Sequence, residues 1–307
     1  MTVEQLNSRF GAPGRIVFRK GFAGLPNVVI ANQYGTAEVA LFGANVLSYR
    51  PTGHSPVIFR PAKPDDAYTM EDSFHGGVPV CWPQFGNRFS KELAQHGFAR
   101  KTLFEVRGTE YTEEKTEIVL GLKSTDETRR VWPHDFDLEY TVSVTMKLNL
   151  TLKTKNTGRE PFAFSCGFHP YFRVRERDGA TVRGLVGLDY FDGVAGKDAH
   201  QEGDLAVTSP VDYIYRMTPS PKHAYAILDA GLNRAIALAS TGNDCCVTWN
   251  PGPAEKPLAD FADDDWKKFV CVEPVSDWPG GRTLEPGGEY VLAAAIQAHL
   301  EMDKEIC

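Results

Sequence analysis

The clearest pattern in the chain is a strict alternation of apolar and polar residues between Leu138 and Leu152. Every second position carries Leu, Tyr, Val or Met, and the positions between them carry Glu, Thr, Ser, Lys or Asn. A period of two puts alternate side chains on opposite faces of a strand, so the pattern predicts one long strand, or two joined strands, with one wet face. Asn156-Thr157-Gly158 is typical of a turn and is predicted to end this element.

Shorter segments with strand character recur along the chain and are separated by turns. The 28 Gly and 20 Pro residues are distributed along the chain between these segments and form no linker-like cluster. Amphipathic helices are scarce, and the two short candidates are residues 91–95 and 257–267. Many short strands with few helices favour an all-β fold, an antiparallel sandwich or barrel, and we expect a single domain over residues 1–307. The other predicted strands are 27–30, 37–41, 46–49, 116–123, 224–228, 235–239, 246–249, 268–272 and 290–299.

Composition and charge limit the function classes. The 307 residues are 42% hydrophobic and 24% charged, which are globular values. With Lys+Arg 33 against Asp+Glu 40 and a net charge of -7, a nucleic-acid partner is not expected. The six cysteines form no CxxC, and no apolar run approaches the roughly 18 residues of a membrane span. Glu4 and Arg9 stand where a signal peptide would be apolar, so we expect a cytoplasmic protein with no membrane partner.

Two segments in the first third of the chain carry ligand-binding chemistry. The run HGGVPVCWPQFGNR, from His75 to Arg88, forces an irregular path between aromatic residues, which suits a ligand rim or a buried connecting loop. The run QHGFAR offers Gln95, His96 and Arg100 within six residues. On a strand, His96 and Arg100 would face one way and Gln95 the other. A guanidinium fork matches phosphate or carboxylate oxygens, although a surface cation is the simpler interpretation of Arg100 alone.

Two later segments carry groups that could transfer protons. His169 stands in the aromatic run FAFSCGFHPYF, and an imidazole in apolar surroundings can be neutral near pH 7 and pass a proton either way. Glu273 ends a strand, FVCVE, that otherwise looks buried. A buried carboxylate needs either a partner or a raised pKa. A core histidine and a buried salt bridge are the structural alternatives, and a general acid and base are the functional ones.

Other common chemistries lack their motifs. The chain has no GxGxxG after a strand, no GxxxxGK[ST], no HExxH and no GxSxG. Its eight histidines show no metal-ligand spacing. We therefore expect neither a metal nor a cofactor.

Seven segments, in a fixed order along the chain, carry a resemblance to a known family. They are GGVPVCWPQFG (76–86), QHGFAR (95–100), FHPYF (168–172), VDYIY (211–215), VTWNP (247–251), LADFADDDWKKFVCVEP (258–274) and LEPGGEY (284–290). Together they resemble the aldose 1-epimerase (mutarotase) superfamily, and within it the hexose-6-phosphate mutarotases, also called glucose-6-phosphate 1-epimerases. The likeness runs from about Phe18 to His299. It implies a large antiparallel β-sandwich, the galactose mutarotase-like supersandwich, with few short helices.

The resemblance also implies roles for individual residues. By position, His169 and Glu273 match the family's catalytic pair. The positions that match substrate contacts are Gln95, His96, Arg100 and Asp212.

One position departs from the sugar-phosphate branch, which usually has Arg immediately before GG[IV]P to help hold the phosphate. This chain has His75, which can donate a hydrogen bond to phosphate but is not permanently charged at pH 7. A compensating cation is expected from Arg88, Arg60 or Lys101, or else the preference for phosphate is weakened.

The resemblance implies interconversion of the α and β anomers of an aldohexose, with glucose 6-phosphate as the expected substrate. Glu273 would take the proton of the C1 hydroxyl while His169 delivers one to the ring oxygen, without metal or cofactor, in a monomer. A neutral-sugar aldose 1-epimerase and a carbohydrate-binding protein without turnover stay open as alternatives. Glycoside hydrolysis by Asp212 and Glu273 is a further alternative, but no motif supports that pairing.

Overall fold

Antiparallel β-strands dominate the fold. The structure is a computed structural model that describes residues 1–72, 74–87, 90–208, 210–218, 220–253, 258–277 and 280–300. In this part of the chain the α-helices are α1 (Val3–Phe10) and α2 (Asp126–Val131). The strands are β1 (Ile16–Lys20), β2 (Pro26–Asn32), β3 (Gly35–Ala40), β4 (Val46–Pro51), β5 (Val80–Cys81), β6 (Glu105–Tyr111), β7 (Thr116–Lys123), β8 (Phe136–Val144), β9 (Leu148–Asn156), β10 (Phe162–Phe164), β11 (Cys166–Phe168), β12 (Tyr171–Arg173), β13 (Ala180–Arg183), β14 (Asp189–Asp192), β15 (Lys197–His200), β16 (Leu205–Ala206), β17 (Val211–Arg216), β18 (His223–Asp229), β19 (Arg234–Thr241), β20 (Cys245–Asn250), β21 (Phe269–Ser276), β22 (Arg282–Leu284) and β23 (Glu289–Leu300).

Two large sheets form the sandwich. One has the strand order β16-β13-β18-β19-β23-β9-β8-β7-β6. The other has the order β15-β14-β17-β20-β21-β11-β5, with β12 also pairing β21. A four-stranded sheet, β1 to β4, and the pair β10-β22 complete the described fold. The predicted all-β class and large antiparallel β-sandwich are confirmed.

The alternating segment forms a hairpin of two joined strands, β8 and β9. Their register runs from Phe136 opposite Asn156 to Val144 opposite Leu148. The apolar side chains on one face are buried, whereas Met146 lies in the turn between the strands and is 61% exposed. The prediction of two joined strands is therefore confirmed, and β9 ends at Asn156 as the turn signal indicates. The nine other predicted strands all overlap observed ones.

The helix predicted at residues 91–95 is wrong. This segment forms bends and turns, and its carbonyl groups are used by another part of the chain. The side-chain amide of Gln84 donates to the carbonyl oxygens of Leu93 (3.1 Å) and Ala94 (2.9 Å). These two bonds from a distant side chain hold the segment in an irregular conformation.

The second helix candidate, 257–267, begins outside the described residues and contains only the start of a 3-10 turn, Asp265–Lys268. Two real helices, α1 and α2, were not predicted. Each begins with a threonine whose hydroxyl accepts a backbone N–H three residues on, at Thr2 and at Thr125. This capping pattern is visible in the sequence and is the signal that could have located both.

The hydrophobic core lies between the two large sheets. Tyr140 of β8 packs against Phe168 of β11 with ring centroids 5.8 Å apart. Along β21, Val270 and Val272 belong to this core, whereas Glu273 and Val275 project from the opposite face. One contiguous core cluster includes side chains from Leu6 to Ala298, which agrees with one domain, but the boundaries 1–307 stay a prediction. None of the described helices has the length and apolar character needed to cross a membrane.

Candidate active site

A cleft of about 320 Å³ lies on the outer face of the eight-stranded sheet. Its floor follows from strand register: Asp212 lies opposite Trp249, and Val247 lies opposite Glu273. Residues directly opposite each other in an antiparallel pair project from the same face, so alternate residues of β17, β20 and β21 share this floor. The described lining residues are His75, Phe85, Gly86, Asn87, Gln95, His96, Arg100, His169, Tyr171, Asp212, Ile214, Cys245, Val247, Trp249, Leu258, Glu273, Val275 and Asp277.

His169 and Glu273 lie opposite each other at a break in the sheet. Tyr171 pairs with Cys271 and Gly167 with Val275, and the same register puts His169 opposite Glu273. The pairing with β21 is interrupted there, between the end of β11 and the start of β12. The N–H of His169 donates instead to the carbonyl oxygen of Pro79 (3.1 Å). The side chains remain neighbours: His169 Nδ1 is 3.5 Å from Glu273 Oε1.

Glu273 does not end its strand, which corrects the prediction from the sequence. Strand β21 continues through Pro274 to Ser276. A proline is tolerated inside a sheet only where no ladder bond needs its N–H. Pro274 pairs with Cys246 of β20, so its nitrogen must face the interruption between β11 and β12. The sequence alone does not reveal that neighbouring break.

Burial sets the protonation of this pair. Glu273 is 1% exposed and His169 is 8% exposed. Burial, with a smaller effect of the Asp212 charge, raises the pKa of Glu273 well above its usual range. Burial, followed by the charges of His96 and Arg100, lowers the pKa of His169 well below its usual range. Both shifts favour neutral forms, so burial favours the tautomer of the pair in which the Glu273 carboxyl holds the proton and His169 is neutral.

Aromatic rings fix the His169 imidazole. It stacks on Tyr171 with ring centroids 4.8 Å apart and meets Trp249 edge-on at 5.7 Å. His96 approaches it edge-on at 5.5 Å. The N–H of Gly86 donates to His96 Nδ1 (3.1 Å), so a neutral His96 carries its proton on Nε2 as a donor. Burial and the positive charge of Arg100 lower the pKa of His96 to about 3, which keeps the ring neutral.

The segment containing Gln95, His96 and Arg100 is not a strand, and the prediction that Gln95 faces away from the other two is wrong. His96 (φ 63°) and Gly97 (φ 71°) are both left-handed, and a 3-10 turn, Ala99–Lys101, follows. A Cβ at Gly97 would lie 2.1 Å from the carbonyl oxygen of Trp82, so only glycine fits. This reversal of the backbone lets all three side chains line the same cleft.

Two of the three proposed compensating cations are engaged away from the cleft. Arg60 pairs with Glu38 (3.4 Å) and with Asp65, and Lys101 donates to the carbonyl oxygen of Glu71 (2.9 Å). Neither is among the described lining residues.

The third candidate, Arg88, lies outside the described residues, so its role stays a prediction. The remaining predicted site residues, including His75 and Asp212, all line the cleft. One further residue was missed: Asp260, whose Oδ1 lies 2.7 Å from His75 Nδ1. In the sequence it belongs to an acidic run that looks like a solvated surface, but the structure buries two members of that run, Asp260 at 6% and Asp265 at 3% exposed.

One arrangement at the cleft floor and just beneath it has metal-ligand chemistry. The ligand atoms of His169, Cys271 and Glu273 lie within 4.8 Å of one another. A metal would require the thiolate form of Cys271. Burial, with a smaller effect of Glu273, raises the pKa of the Cys271 thiol well above its usual range and opposes that form. The expected absence of a metal stays a prediction, and no step of the chemistry below requires one.

The fold and the site together define a sandwich that presents a buried imidazole–carboxylate pair in a polar cleft. Residues 26–297 match the sequence profile of the family described as aldose 1-epimerase, and the chain belongs to that family.

Similar proteins from other organisms match most of the chain. A protein of Cenchrus ciliaris named "Putative glucose-6-phosphate 1-epimerase" is 31% identical over 90% of this chain and 85% of its own length. A Salmonella typhimurium protein with the same name is 32% identical over 85% of this chain and 86% of its own. The crystal structure of "a putative mutarotase (YeaD)" from Salmonella typhimurium superposes with a TM-score of 0.84 at 29% identity and covers 94% of both chains.

Proposed function

We propose that this protein interconverts the α and β anomers of an aldohexose 6-phosphate, with glucose 6-phosphate as substrate, by general acid and base catalysis. The observation that carries the proposal is the proximity of His169 and Glu273, 3.5 Å apart on the floor of one cleft. Anomer exchange needs proton transfer at two oxygens of one sugar, the C1 hydroxyl and the ring oxygen. A neighbouring acid and base can reach both.

The proton balance closes without any other reagent. Glu273 accepts the proton of the C1 hydroxyl, the bond between C1 and the ring oxygen breaks, and His169 protonates that oxygen. Rotation about the C1–C2 bond of the open aldehyde turns its other face toward the hydroxyl. On closure, His169 takes the proton back and Glu273 returns one to the carbonyl oxygen. The pair always holds one exchangeable proton, and the two steps use its two tautomers.

The shifted pKa values favour this assignment of roles. A carboxylate whose pKa is raised is a stronger base, and an imidazolium whose pKa is lowered is a stronger acid. Ring opening begins from the charged tautomer, in which Glu273 is ionised and His169 protonated. An anionic group bound beside Arg100 would offset part of the positive charge that lowers the pKa of His169, and so would favour that tautomer.

Charge is distributed unevenly along the cleft, in a way that suits a sugar phosphate. Arg100 and His75 lie among the lining residues, as do the carboxylates of Asp212 and Asp277. A guanidinium is a strong partner for phosphate oxygens, and a carboxylate accepts hydrogen bonds from sugar hydroxyls. The names carried by the similar proteins support the same substrate class.

Anomer exchange measured by NMR tests the proposal. Exchange between the anomeric proton signals of glucose 6-phosphate should accelerate well above the spontaneous rate, and more than for glucose at equal concentration. Equal acceleration of both sugars would favour a neutral-sugar aldose 1-epimerase. Saturable binding without acceleration would favour a carbohydrate-binding protein. The cytoplasmic location and the monomeric state expected from the sequence stay predictions.

A further inference from the structure

His75 is held by one carboxylate that lies behind the cleft wall. Asp260 Oδ1 is 2.7 Å from His75 Nδ1, and Asp260 Oδ2 accepts the backbone N–H of His75 at 2.8 Å. Asp260 is buried, and the hydroxyl of Tyr68 donates to it at 3.3 Å. His75 lines the cleft, whereas Asp260 is not among the described lining residues. Asp260 therefore fixes both the backbone and the ring of His75 without lining the cleft itself.

Aromatic packing makes the carboxylate side of this clamp rigid. Phe261, the residue after Asp260, packs against Phe59 at 5.8 Å and against Phe269 at 5.5 Å between ring centroids. The same ring meets the His75 imidazole edge-on at 6.0 Å. Asp260 therefore belongs to a segment that is anchored in an aromatic cluster.

The chain that follows His75 is fixed as well. Asn45 Oδ1 accepts the N–H of Val78 at 2.7 Å, and Gly77 is left-handed with φ 72°. A Cβ at Gly77 would lie 2.4 Å from Asn45 Oδ1, so the tight approach requires glycine. The position of the imidazole is thus set before any substrate binds, which reduces the entropy cost of using it for recognition.

The hydrogen bond to Asp260 dictates what His75 can offer to a ligand. Since a carboxylate only accepts, Nδ1 carries a proton and Nε2 is left for the cleft. In the neutral ring Nε2 is an acceptor, as the oxygens of a phosphate dianion also are. A hydrogen bond between them therefore needs one added proton, on Nε2 or on the phosphate. Arg100 has no such requirement because a guanidinium stays protonated in proteins.

Several ionisable groups act on this end of the cleft. Asp260 and, through it, Tyr68 lie behind the His75 ring. Burial is the main cause of the lowered pKa values of His96 and His169, and positive charge on Arg100 and, to a smaller extent, on His75 adds to both. This part of the cleft therefore favours an anion most when His75 is protonated. Histidine is the side chain that ordinarily changes charge between about pH 5 and 8.

We infer that Asp260 is a positioning residue that aims His75 at the phosphate group of the substrate, so that recognition of the phosphate depends on one bound proton. The inference rests on the proposed function and deepens it. It also explains how a histidine serves where the resembling branch carries arginine: the buried carboxylate engages Nδ1 and leaves Nε2 to donate to the phosphate when that atom carries a proton. Discrimination between a sugar phosphate and a free sugar then weakens as the pH rises.

The test compares KM for glucose 6-phosphate with KM for glucose from pH 7 to pH 9. The second pKa of a phosphate monoester is about 6, so the substrate is already a dianion over this range. For the wild type, the ratio of the phosphate KM to the glucose KM should rise with pH, by at most about tenfold per pH unit because one proton is linked. His75→Arg should make this ratio nearly independent of pH.

Variants of the carboxylate test positioning directly. Asp260→Asn should raise the same KM ratio at pH 7 at least about tenfold, the loss expected for a hydrogen bond to a charged group, and should change kcat less. In a His75→Ala background the same change should add almost nothing, since the two act as one unit. Tyr68→Phe is the matched control: it removes one bond to Asp260 and leaves both bonds to His75 intact.

The outcomes separate this inference from the function on which it rests. A wild type that does not prefer glucose 6-phosphate overturns the proposed substrate, and the inference with it. A wild type that prefers it with a KM ratio independent of pH overturns the inference alone. Equal effects of Asp260→Asn and Tyr68→Phe on the KM ratio would make Asp260 merely structural. If Asp260→Asn does not fold, the pH dependence of the KM ratio in the wild type and in His75→Arg still tests the inference.

Discussion

Replacing Glu273 by glutamine separates the catalytic role of this carboxyl from its effect on folding. The side chain is 1% exposed and lies 3.5 Å from His169, so Gln keeps its shape and removes its proton. A positioned base contributes roughly 10²–10⁴-fold to a rate. The catalysed rate of Glu273→Gln should fall by that factor, which corresponds to about 3–5 kcal/mol of transition-state stabilisation.

The same substitution should stabilise the fold at neutral pH. The pKa of Glu273 in the folded protein is raised well above its usual value of 4.5. As the pH rises from that value, the carboxyl ionises first in the unfolded chain, which lowers the free energy of unfolding until the folded pKa is passed. The glutamine variant lacks this loss. The free energy of unfolding of the variant should therefore equal that of the wild type below pH 4.5. It should exceed the wild-type value increasingly as the pH rises toward the pKa of Glu273 in the folded protein.

Two measurements test this prediction together. NMR exchange between the anomers of glucose 6-phosphate gives the rate, and urea unfolding at pH 4.5 and pH 8 gives the free energy of unfolding. Glu289→Gln is the matched control, because Glu289 is an exposed carboxylate paired with Lys155 at 3.0 Å. It should keep the wild-type rate and show no gain at pH 8. A folded Glu273→Gln with wild-type exchange, or one less stable than the wild type at pH 8, would refute the reasoning.

The remaining predictions concern three other positions. His169→Asn should lower the catalysed anomer exchange roughly 10²–10⁴-fold without unfolding the protein, and circular dichroism checks the fold. Arg100→Ala should raise KM for glucose 6-phosphate at least about tenfold more than KM for glucose. Lys101→Ala, a cation on the same turn that does not line the cleft, should not change this ratio. Gly97→Ala should lower the free energy of unfolding by more than about 2 kcal/mol, since it adds a backbone clash to left-handed strain. Gly53→Ala, left-handed but with open space around it, should cost about 1–2 kcal/mol, and equal losses would contradict the clash.

Local patterns predicted eleven of the described strands, because those strands carry their own evidence, and missed the others, most of which are only two to four residues long. The alternation in β8 and β9 reflects one face on the core and one in solvent, and the structure buries the apolar set as expected. The prediction fails where a residue that is distant in the sequence determines the local conformation. Gln84 binds the carbonyl oxygens of Leu93 and Ala94 and holds 91–95 in an irregular conformation, and no pattern within that segment reveals it. Likewise, the continuation of β21 through Pro274 depends on a break in a neighbouring strand.

The site residues themselves could be selected from the sequence, since each is an ionisable group in a segment that looks buried or irregular. Their arrangement could not. That His169 lies opposite Glu273 depends on register across strands that are about a hundred residues apart in the chain. The common direction of Gln95, His96 and Arg100 depends on two successive left-handed residues, only one of them glycine. Without knowledge of those two backbone conformations, residues 95–100 are naturally expected to form a strand.

The pairing of His75 with Asp260 shows most clearly why residue identity is not enough at such a site. Judged by its side chain alone, His75 is a weaker phosphate ligand than arginine, because it is not always charged. What it can do depends on a carboxylate 185 positions later in the chain, which is buried, anchored by Phe261 and bonded to both the ring and the backbone of His75. A histidine with such a partner has a fixed ring orientation, and its Nδ1 proton is engaged by the carboxylate. In the proposed phosphate site, the counterpart of a single arginine is therefore a pair of residues, and the histidine at position 75 has to be judged together with Asp260.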